Sequence, residues 1–354
     1  MRIAIIGAGA IGSYLGARLA EAGHTVGLLG REAYVARVQE RGVSLVEHGA
    51  WRTVRDVVAA AHIADLAEAM EGLETAIVTT KAYDTESACL LLRPYLERGL
   101  ERVLLVQNGV GGDDIAAALV GRGALVSGVI TQVVSVREAG CYEVRGRRGG
   151  LALAPYDGAH VAPLAAAFRA AGLECREYPD HRAIKWSKLL LNILGNAVPA
   201  IVDLSPEEVF RDEHLCALEI AAVREALAVM RRAGVRPVGL PGYPVPTLAL
   251  ALRYLPVPVA RALLRRLMGG ARGGKKPSLQ IDLERGRGES EVAFLNGAVA
   301  RQALACGMSA PANEAIAEVL GALARGTRRR DEFRHAPEAL LADAARRGWR
   351  RGAG

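Results

Sequence analysis

Residues 2–12, RIAIIGAGAIG, decide the fold. RIAII is a short apolar run rich in isoleucine and closed by glycine, which reads as a buried strand. Gly7-Ala8-Gly9-Ala10-Ile11-Gly12 fits G-x-G-x-x-G, and IGSYLGARLAEAG continues with helical spacing to Gly23. Strand, glycine turn and helix together are the context in which this motif holds a dinucleotide. The glycines let the backbone approach a pyrophosphate, whose charge sits at the helix N-terminus. Gly7, Ala8, Gly9, Ala10, Ile11 and Gly12 are therefore candidate cofactor contacts; the competing reading is a plain tight turn.

Working outward, HTVGLLG, TAIVTT, RVLLVQ and LVSGVIT are further strand candidates with helical patterns between them. Strands alternating with helices predict a parallel α/β sheet. VVSVREAGCYEVRG and GLALAPY read as antiparallel strands closing one side of that sheet. From about Asp180 the strand signals stop, and helical patterns follow at 181–197, 206–234, 289–307 and 311–325. The expected organisation is an α/β N-terminal Rossmann-type dinucleotide-binding domain at 1–178, an all-α C-terminal domain at 179–330, and a basic tail at 331–354. Residues 237–277 hold seven of the 15 prolines. They read as an irregular helical excursion packed on the second domain, with a lid or a subunit contact as the functional alternatives.

Composition narrows the class. The 354 residues suggest two domains, and 51% hydrophobic with 23% charged residues is a globular balance. The glycine-broken N-terminus is no secretory signal, and no run reaches the roughly 18 apolar residues of a membrane helix. The five cysteines are scattered and never form C-x-x-C, and the seven histidines are dispersed. Reduced thiols, a cytoplasmic location and no metal are expected. The net charge is +7, but residues 325–354 alone hold nine arginines against four acidic residues. That concentration reads as a solvated or frayed terminus rather than a nucleic-acid-binding arm.

Residues at strand ends carry the chemistry, because ligands of open α/β sheets bind beyond the carboxyl ends of the strands. At the end of the second strand, where an NAD site places an acid, the chain has Gly30-Arg31. An arginine there pairs with a 2′-phosphate, so the reading is NADP(H) over NAD(H), with Glu32 adjacent as the counter-argument. Lys81 follows TAIVTT, and Gln107-Asn108-Gly109 follows RVLLV, where Asn-Gly also suits an ordinary turn. Further on, KWSKLLLNILGN (185–196) places Lys188, Asn192 and Asn196 at i, i+4 and i+8, one stripe of a helix. The stripe either faces water or lines a site. Only five of the 45 basic residues are lysine: Lys81, Lys185, Lys188, Lys275 and Lys276. Arginine keeps its proton at any working pH whereas lysine can give one up, which favours the functional reading of Lys188. Lys185 reads as a surface residue.

G-A-G-A-I-G, Arg31, TTKAY at 79–83, QNGVG at 107–111, KWSKLLLN at 185–192 and PSLQIDLERGRGESEVAFLNG at 277–297 occur in this order. On those motifs the chain, from residue 1 to about 325, resembles the ketopantoate reductases (2-dehydropantoate 2-reductases). The resemblance implies a 6-phosphogluconate-dehydrogenase-like helical second domain and NADPH-dependent reduction of 2-dehydropantoate to pantoate, on the route to pantothenate and coenzyme A. It implies Lys188 as general acid, Glu291 as an acid close to the reaction centre, and Asn108, Asn192, Asn196 and Ser278 as substrate-binding residues. Arg31, Lys81, Asn108, Val134 and Glu291 join the glycine loop as cofactor contacts. The segment after Asp282 is one residue longer than usual, at Arg287–Ser290, so Glu289 competes with Glu291. Two other readings stay open: an NADPH-dependent reductase of another 2-keto acid, and a non-catalytic NADP-binding regulator, in which the Lys-Asn-Asn stripe should be degraded. The expected partner is a small 2-keto acid, without nucleic acid or membrane, and a homodimer through the helical domain is compatible with the sequence.

Overall fold

The computed structural model describes residues 1–146, 148–271 and 276–350, with side chains 268–271 left out. Lys275 and the last four residues of the expected tail lie outside the described residues. The chain divides into two compact units. The first comprises Met1–Gln107, Gly111–Lys185 and Leu240–Tyr243; the second comprises Asn108–Val110, Trp186–Gly239 and Pro244–Gly354.

The first unit begins β1 (Arg2–Ile6), α1 (Ala10–Glu21), β2 (Thr25–Leu29), α2 (Glu32–Arg41), β3 (Val43–Glu47), β4 (Ala50–Val54), β5 (Val58–Ala60), α3 (Ile63–Ala69) and β6 (Thr75–Val78). It continues α4 (Thr85–Leu96), β7 (Arg102–Leu105), α5 (Gly112–Val120), β8 (Leu125–Ile130), β9 (Val133–Glu138) and β10 (Cys141–Arg145). β11 (Leu151–Pro155), α6 (Ala162–Ala170) and β12 (Cys175–Glu177) follow. The main sheet has the order β12-β11-β8-β7-β6-β1-β2-β5. All its pairs are parallel except β11 with β8. Side chains of a strand alternate between faces, and both faces here are covered. Ile3 and Ile5 of β1 join one core with α1 and α6, while Ala4 and Ile6 join the other with α3, α4 and α5. This is why the parallel strands read as unbroken apolar runs.

The sequence placed VVSVREAGCYEVRG on the main sheet together with GLALAPY. Only the latter, β11, is there. β9 and β10 form a separate four-stranded sheet, ordered β4-β3-β10-β9, whose Leu45, Val134 and Tyr142 share the core of α1. β9 is an edge strand of that sheet, and its Val133 and Val136 are exposed. A half-solvated antiparallel hairpin of that kind suits a covering sheet, whereas the main-sheet edge at β8 is taken by β11.

Helix α7 (His181–Ile193) has its first residues in the first unit and its remainder in the second. The second unit is otherwise helical: α8 (Ala197–Val202), α9 (Pro206–Arg211), α10 (Glu213–Arg232), α11 (Val245–Tyr254) and α12 (Val257–Ala271). α13 (Ser278–Glu284), α14 (Asn296–Ala305), α15 (Pro311–Ala324) and α16 (Pro337–Arg346) complete it. The pattern at 206–234 is two helices. Asp212 leaves helical geometry (ψ 126°) and its carboxylate accepts from the N–H groups of His214 and Leu215, capping α10. Glu225 of α10 accepts from the N–H groups of Ala312 and Asn313 at 2.9 and 3.0 Å, capping α15. The Pro-rich excursion is helical over α11 and α12, and Leu250, Tyr254, Val259 and Leu267 stand exposed on it. No helix among the described residues is long and apolar enough to cross a membrane.

Through Arg350 the basic tail is packed, not frayed. Phe333, Leu340, Ala344 and Trp349 are buried, and Arg330 and Arg334 pair with Asp203 at 3.2 and 3.0 Å. The arginine count masked an apolar helical stripe that buries against the rest of the unit.

Candidate active site

In the first unit the glycine loop is built as its motif demands. Gly7 lies at φ +98°, and a Cβ on it would meet the backbone N of Thr80 at 2.8 Å. A Cβ on Gly12 would meet the Gly7 carbonyl oxygen and Thr79 Oγ1, each at 2.5 Å. A Cβ on Gly9 would meet nothing within 4 Å, so the middle glycine faces open space. Ala8, Ala10 and Ile11 pack their side chains on the core, which leaves backbone to face a ligand. α1 begins after Gly9 with no side-chain cap and no acidic residue in its first turn. A closed turn, an open approach at Gly9 and an unneutralised helix N-terminus fit a dinucleotide pyrophosphate.

Arg31 occupies the N-cap position of α2, just past the end of β2. Its side chain is exposed and has no hydrogen bond or ion pair among the described residues. Such a guanidinium is available to an external phosphate. Lys81 is half-buried and opens the 3₁₀ turn Ala82–Asp84 beyond β6. Val134 is placed differently from the rest of the set. It sits on β9, packed in the α1 core and 9% exposed, so its side chain is a core element.

The second unit gathers the other candidates. Lys188 and Asn192 are half-buried on one face of α7. The helix ends at Ile193, however, so the expected three-residue helical stripe is cut short. Gly195 turns the chain at φ +61°, and Asn196 becomes the N-cap position of α8. A glycine at positive φ ends a helix at low cost, and the three residues still connect. Asn192 Nδ2 donates to Asn108 Oδ1 at 3.0 Å. Asn196 Nδ2 donates to the Asn192 carbonyl at 3.0 Å, and Asn196 Oδ1 accepts from the N–H of Leu279 at 3.2 Å and from Ser278 Oγ at 3.4 Å. The turn Glu291–Phe294 joins the same group, because the N–H of Val110 donates to the Phe294 carbonyl at 2.9 Å. Glu291 is 3% exposed at the start of that turn, whereas Glu289 is exposed.

The parts played by several residues here escaped the sequence reading. Gln107 is buried between two strand ends: its amide donates to Thr80 Oγ1 at 2.9 Å and to the Lys81 carbonyl at 3.0 Å, and accepts from Thr85 Oγ1 at 2.6 Å. Asp203 accepts from Gln280 Nε2 at 2.8 Å, which ties the end of α8 to α13. Lys185 is not a surface residue: it is 3% exposed, with its ammonium bound at the end of β7. Its neighbours Leu189 and Ile193, at i+4 and i+8, are the buried face of α7, so the helical period already pointed Lys185 inward.

A dinucleotide-type α/β unit followed by a helical unit that assembles a lysine, three asparagines and a buried glutamate defines a two-domain oxidoreductase. Residues 3–158 match the family described as ketopantoate reductase PanE/ApbA, and residues 180–324 match its C-terminal family. The chain belongs to the ketopantoate reductase family, oxidoreductases acting on a CH–OH group. It is 26% identical to the 2-dehydropantoate 2-reductase of Pyrococcus horikoshii over 316 residues, 88% of this chain and 94% of that protein. It is similar to a crystal structure of a PanE/ApbA family ketopantoate reductase from Ralstonia eutropha JMP134, at 29% identity and a TM-score of 0.76, covering 92% of this chain and 99% of that one. A D-mandelate dehydrogenase solved with NADH and anilino(oxo)acetate shares the fold at 22% identity and a TM-score of 0.73, covering 92% and 99%.

Proposed function

We propose that the protein reduces 2-dehydropantoate to pantoate with NADPH in the cytoplasm. The observation that carries the reading is the hydrogen-bonded chain Asn108–Asn192–Asn196–Ser278, with Lys188 one turn before Asn192 on α7. Amides offer donors and acceptors to a hydroxy-keto acid without adding charge. The glycine loop, Arg31 and Lys81 would hold NADPH, which when bound would supply the hydride for C2 of the keto acid. The resulting alkoxide takes a proton from the Lys188 ammonium, which also stabilises the charge as it develops. Glu291, buried at the start of the turn whose Phe294 carbonyl accepts the Val110 N–H, is the acid we assign near the reacting carbonyl in preference to the exposed Glu289. The names of the curated relatives support the substrate; Asn192 and Asn196, both intact and ordered by hydrogen bonds, support catalysis over a purely regulatory role.

Arg31 carries the preference for NADPH over the NADH seen with the D-mandelate dehydrogenase. Arg31→Ala should raise the KM for NADPH by about 10- to 100-fold, the worth of one or two charge-assisted hydrogen bonds, and leave the KM for NADH within about twofold. Steady-state kinetics with both cofactors measure this. Equal changes for the two would remove the 2′-phosphate role. The substrate is tested by product analysis: ketopantoate with NADPH should yield pantoate, where pyruvate and 2-ketoisovalerate turn over poorly.

A further inference from the structure

Lys185 has no part in the reaction as proposed, yet it is among the most deeply buried charges in the protein. Its Nζ donates to the carbonyl oxygens of Gln107 at 3.0 Å and Leu105 at 3.3 Å, and lies 3.6 Å from Asp113 Oδ2. Burial pulls the lysine toward its neutral form, and the Asp113 carboxylate opposes that. An ammonium offers three tetrahedrally spread donors, met here by two carbonyl acceptors and, as an ion pair, the Asp113 carboxylate. A planar guanidinium is larger and spreads its donors in one plane, so the site explains why this position is not one of the chain's many arginines.

What the ammonium holds is the carboxyl end of β7. The pairing of β7 with β8 runs only as far as Leu105 opposite Ser127. Leu105 and Gln107 present their carbonyls at and beyond that end, where Lys185 takes them up. Gln107 then passes the constraint on, since its amide clasps Thr80, the Lys81 carbonyl and Thr85. A single buried ammonium thus sets the main chain of the residue whose side chain sets the Lys81 loop. All of these groups belong to the first unit.

We propose that Lys185, paired with Asp113, is a positioning residue that fixes the 105–107 backbone and, through the Gln107 amide, the Thr80–Thr85 loop for cofactor binding. The inference rests on the reading of the Lys81 loop as a nicotinamide-cofactor contact. It is tested on the full-length protein by fluorescence titration with NADPH in a double-mutant cycle of wild type, Lys185→Met, Gln107→Ala and the double variant. Lys185→Met should raise the NADPH Kd by about 10-fold in the wild-type background and by less than about threefold in the Gln107→Ala background, a coupling typical of residues in one network. Equal factors in both backgrounds would make Lys185 a general support of the fold and overturn the proposal.

Lys185→Met leaves Asp113 buried without its partner and is at risk of misfolding. The companion variant Lys185→Met/Asp113→Leu removes both charges, and replacement of a buried pair by apolar residues is often neutral for stability. It should melt near the wild-type temperature and still bind NADPH at least about fivefold more weakly, because the Leu105 and Gln107 carbonyls lack their donor. A wild-type Kd in that folded variant overturns the proposal. Wild-type protein that fails to bind NADPH at all sinks the cofactor reading, and the positioning role with it.

Discussion

Lys188→Ala is expected to lower kcat by about 10²-fold or more at saturating keto acid, the range in which acid–base groups contribute. The expectation follows from where α7 puts the residue. Lys185, Leu189 and Ile193 form one buried face of the helix, while Lys188 and Asn192 share an adjacent, half-buried face. Lys188 therefore borders the asparagine chain without being part of the packed core. Alanine removes the proposed proton donor and leaves the helix, its apolar face and the Asn192–Asn108 bond in place. The loss should thus fall on kcat, with the NADPH Kd unchanged and the melting temperature close to wild type. Lys188→Arg should not restore activity, because a guanidinium keeps its proton at any working pH. Steady-state kinetics with a parallel NADPH titration check the split. A near-normal kcat in the alanine variant removes Lys188 as the acid.

Gly109→Ala should be nearly as damaging, by a different route. Gly109 lies at φ +91°, a region that costs an L-residue about 1–2 kcal/mol. Its added Cβ would also lie 2.4 Å from the Phe294 carbonyl oxygen and 2.6 Å from Phe294 Cβ. Either the 108–110 segment or the Glu291–Phe294 turn must then move. Those two pieces carry Asn108 and Glu291, and misplacing reacting groups by about 1 Å can cost about 10²-fold. We expect kcat/KM to fall by about that factor and the melting temperature by a few degrees. Gly111→Ala is the control. It shares the positive φ, at +104°, but its Cβ would meet nothing within 4 Å, so it should cost stability with far less activity. Equal activity losses in the two variants would mean that strain alone, and not the contact with Phe294, is at work.

The parts of this molecule legible in the sequence are those ruled by local periodicity. β1, the glycine turn and α1 were readable because a strand, a motif and a helix agree over one short stretch. The helical second unit was readable because its patterns run for ten residues or more. What escaped was decided at longer range or by single residues. The hairpin β3–β4 turns on His48-Gly49, both at positive φ (51° and 84°), the signature of a two-residue I′ turn. Its strands are short and half-polar, so alternation did not reveal them. Asn196 looked like the third member of a helical stripe because i+8 spacing ignores the turn at Gly195. The burial of Lys185 is hard to read because a lysine is assumed to seek water, and its partners come from residues 72 or more positions earlier in the chain. The C-terminal segment was misjudged because its charge was weighed before the spacing of Leu340, Leu341 and Ala344.

Of the proposed site residues, the glycines, Arg31, Asn108, Asn192 and Asn196 could be named from motif and spacing, and the family likeness supplied Ser278 and Glu291. Gln107 stood in the same strand-end motif as Asn108, but its clasp on the Thr80–Thr85 loop was not legible there, and Thr85 and Asp203 carried no signal of their own. They act by holding loops that belong to distant parts of the sequence, and only the fold shows what a buried amide or carboxylate is holding.

The most direct test of the account is turnover by the wild-type protein. Purified enzyme is mixed with NADPH and ketopantoate, and the reduced-nicotinamide absorbance is followed, with pyruvate and 2-ketoisovalerate as controls. Rapid NADPH oxidation with ketopantoate is expected, matched one for one by pantoate, with little from the controls. Tight NADPH binding with no oxidation by ketopantoate would contradict it.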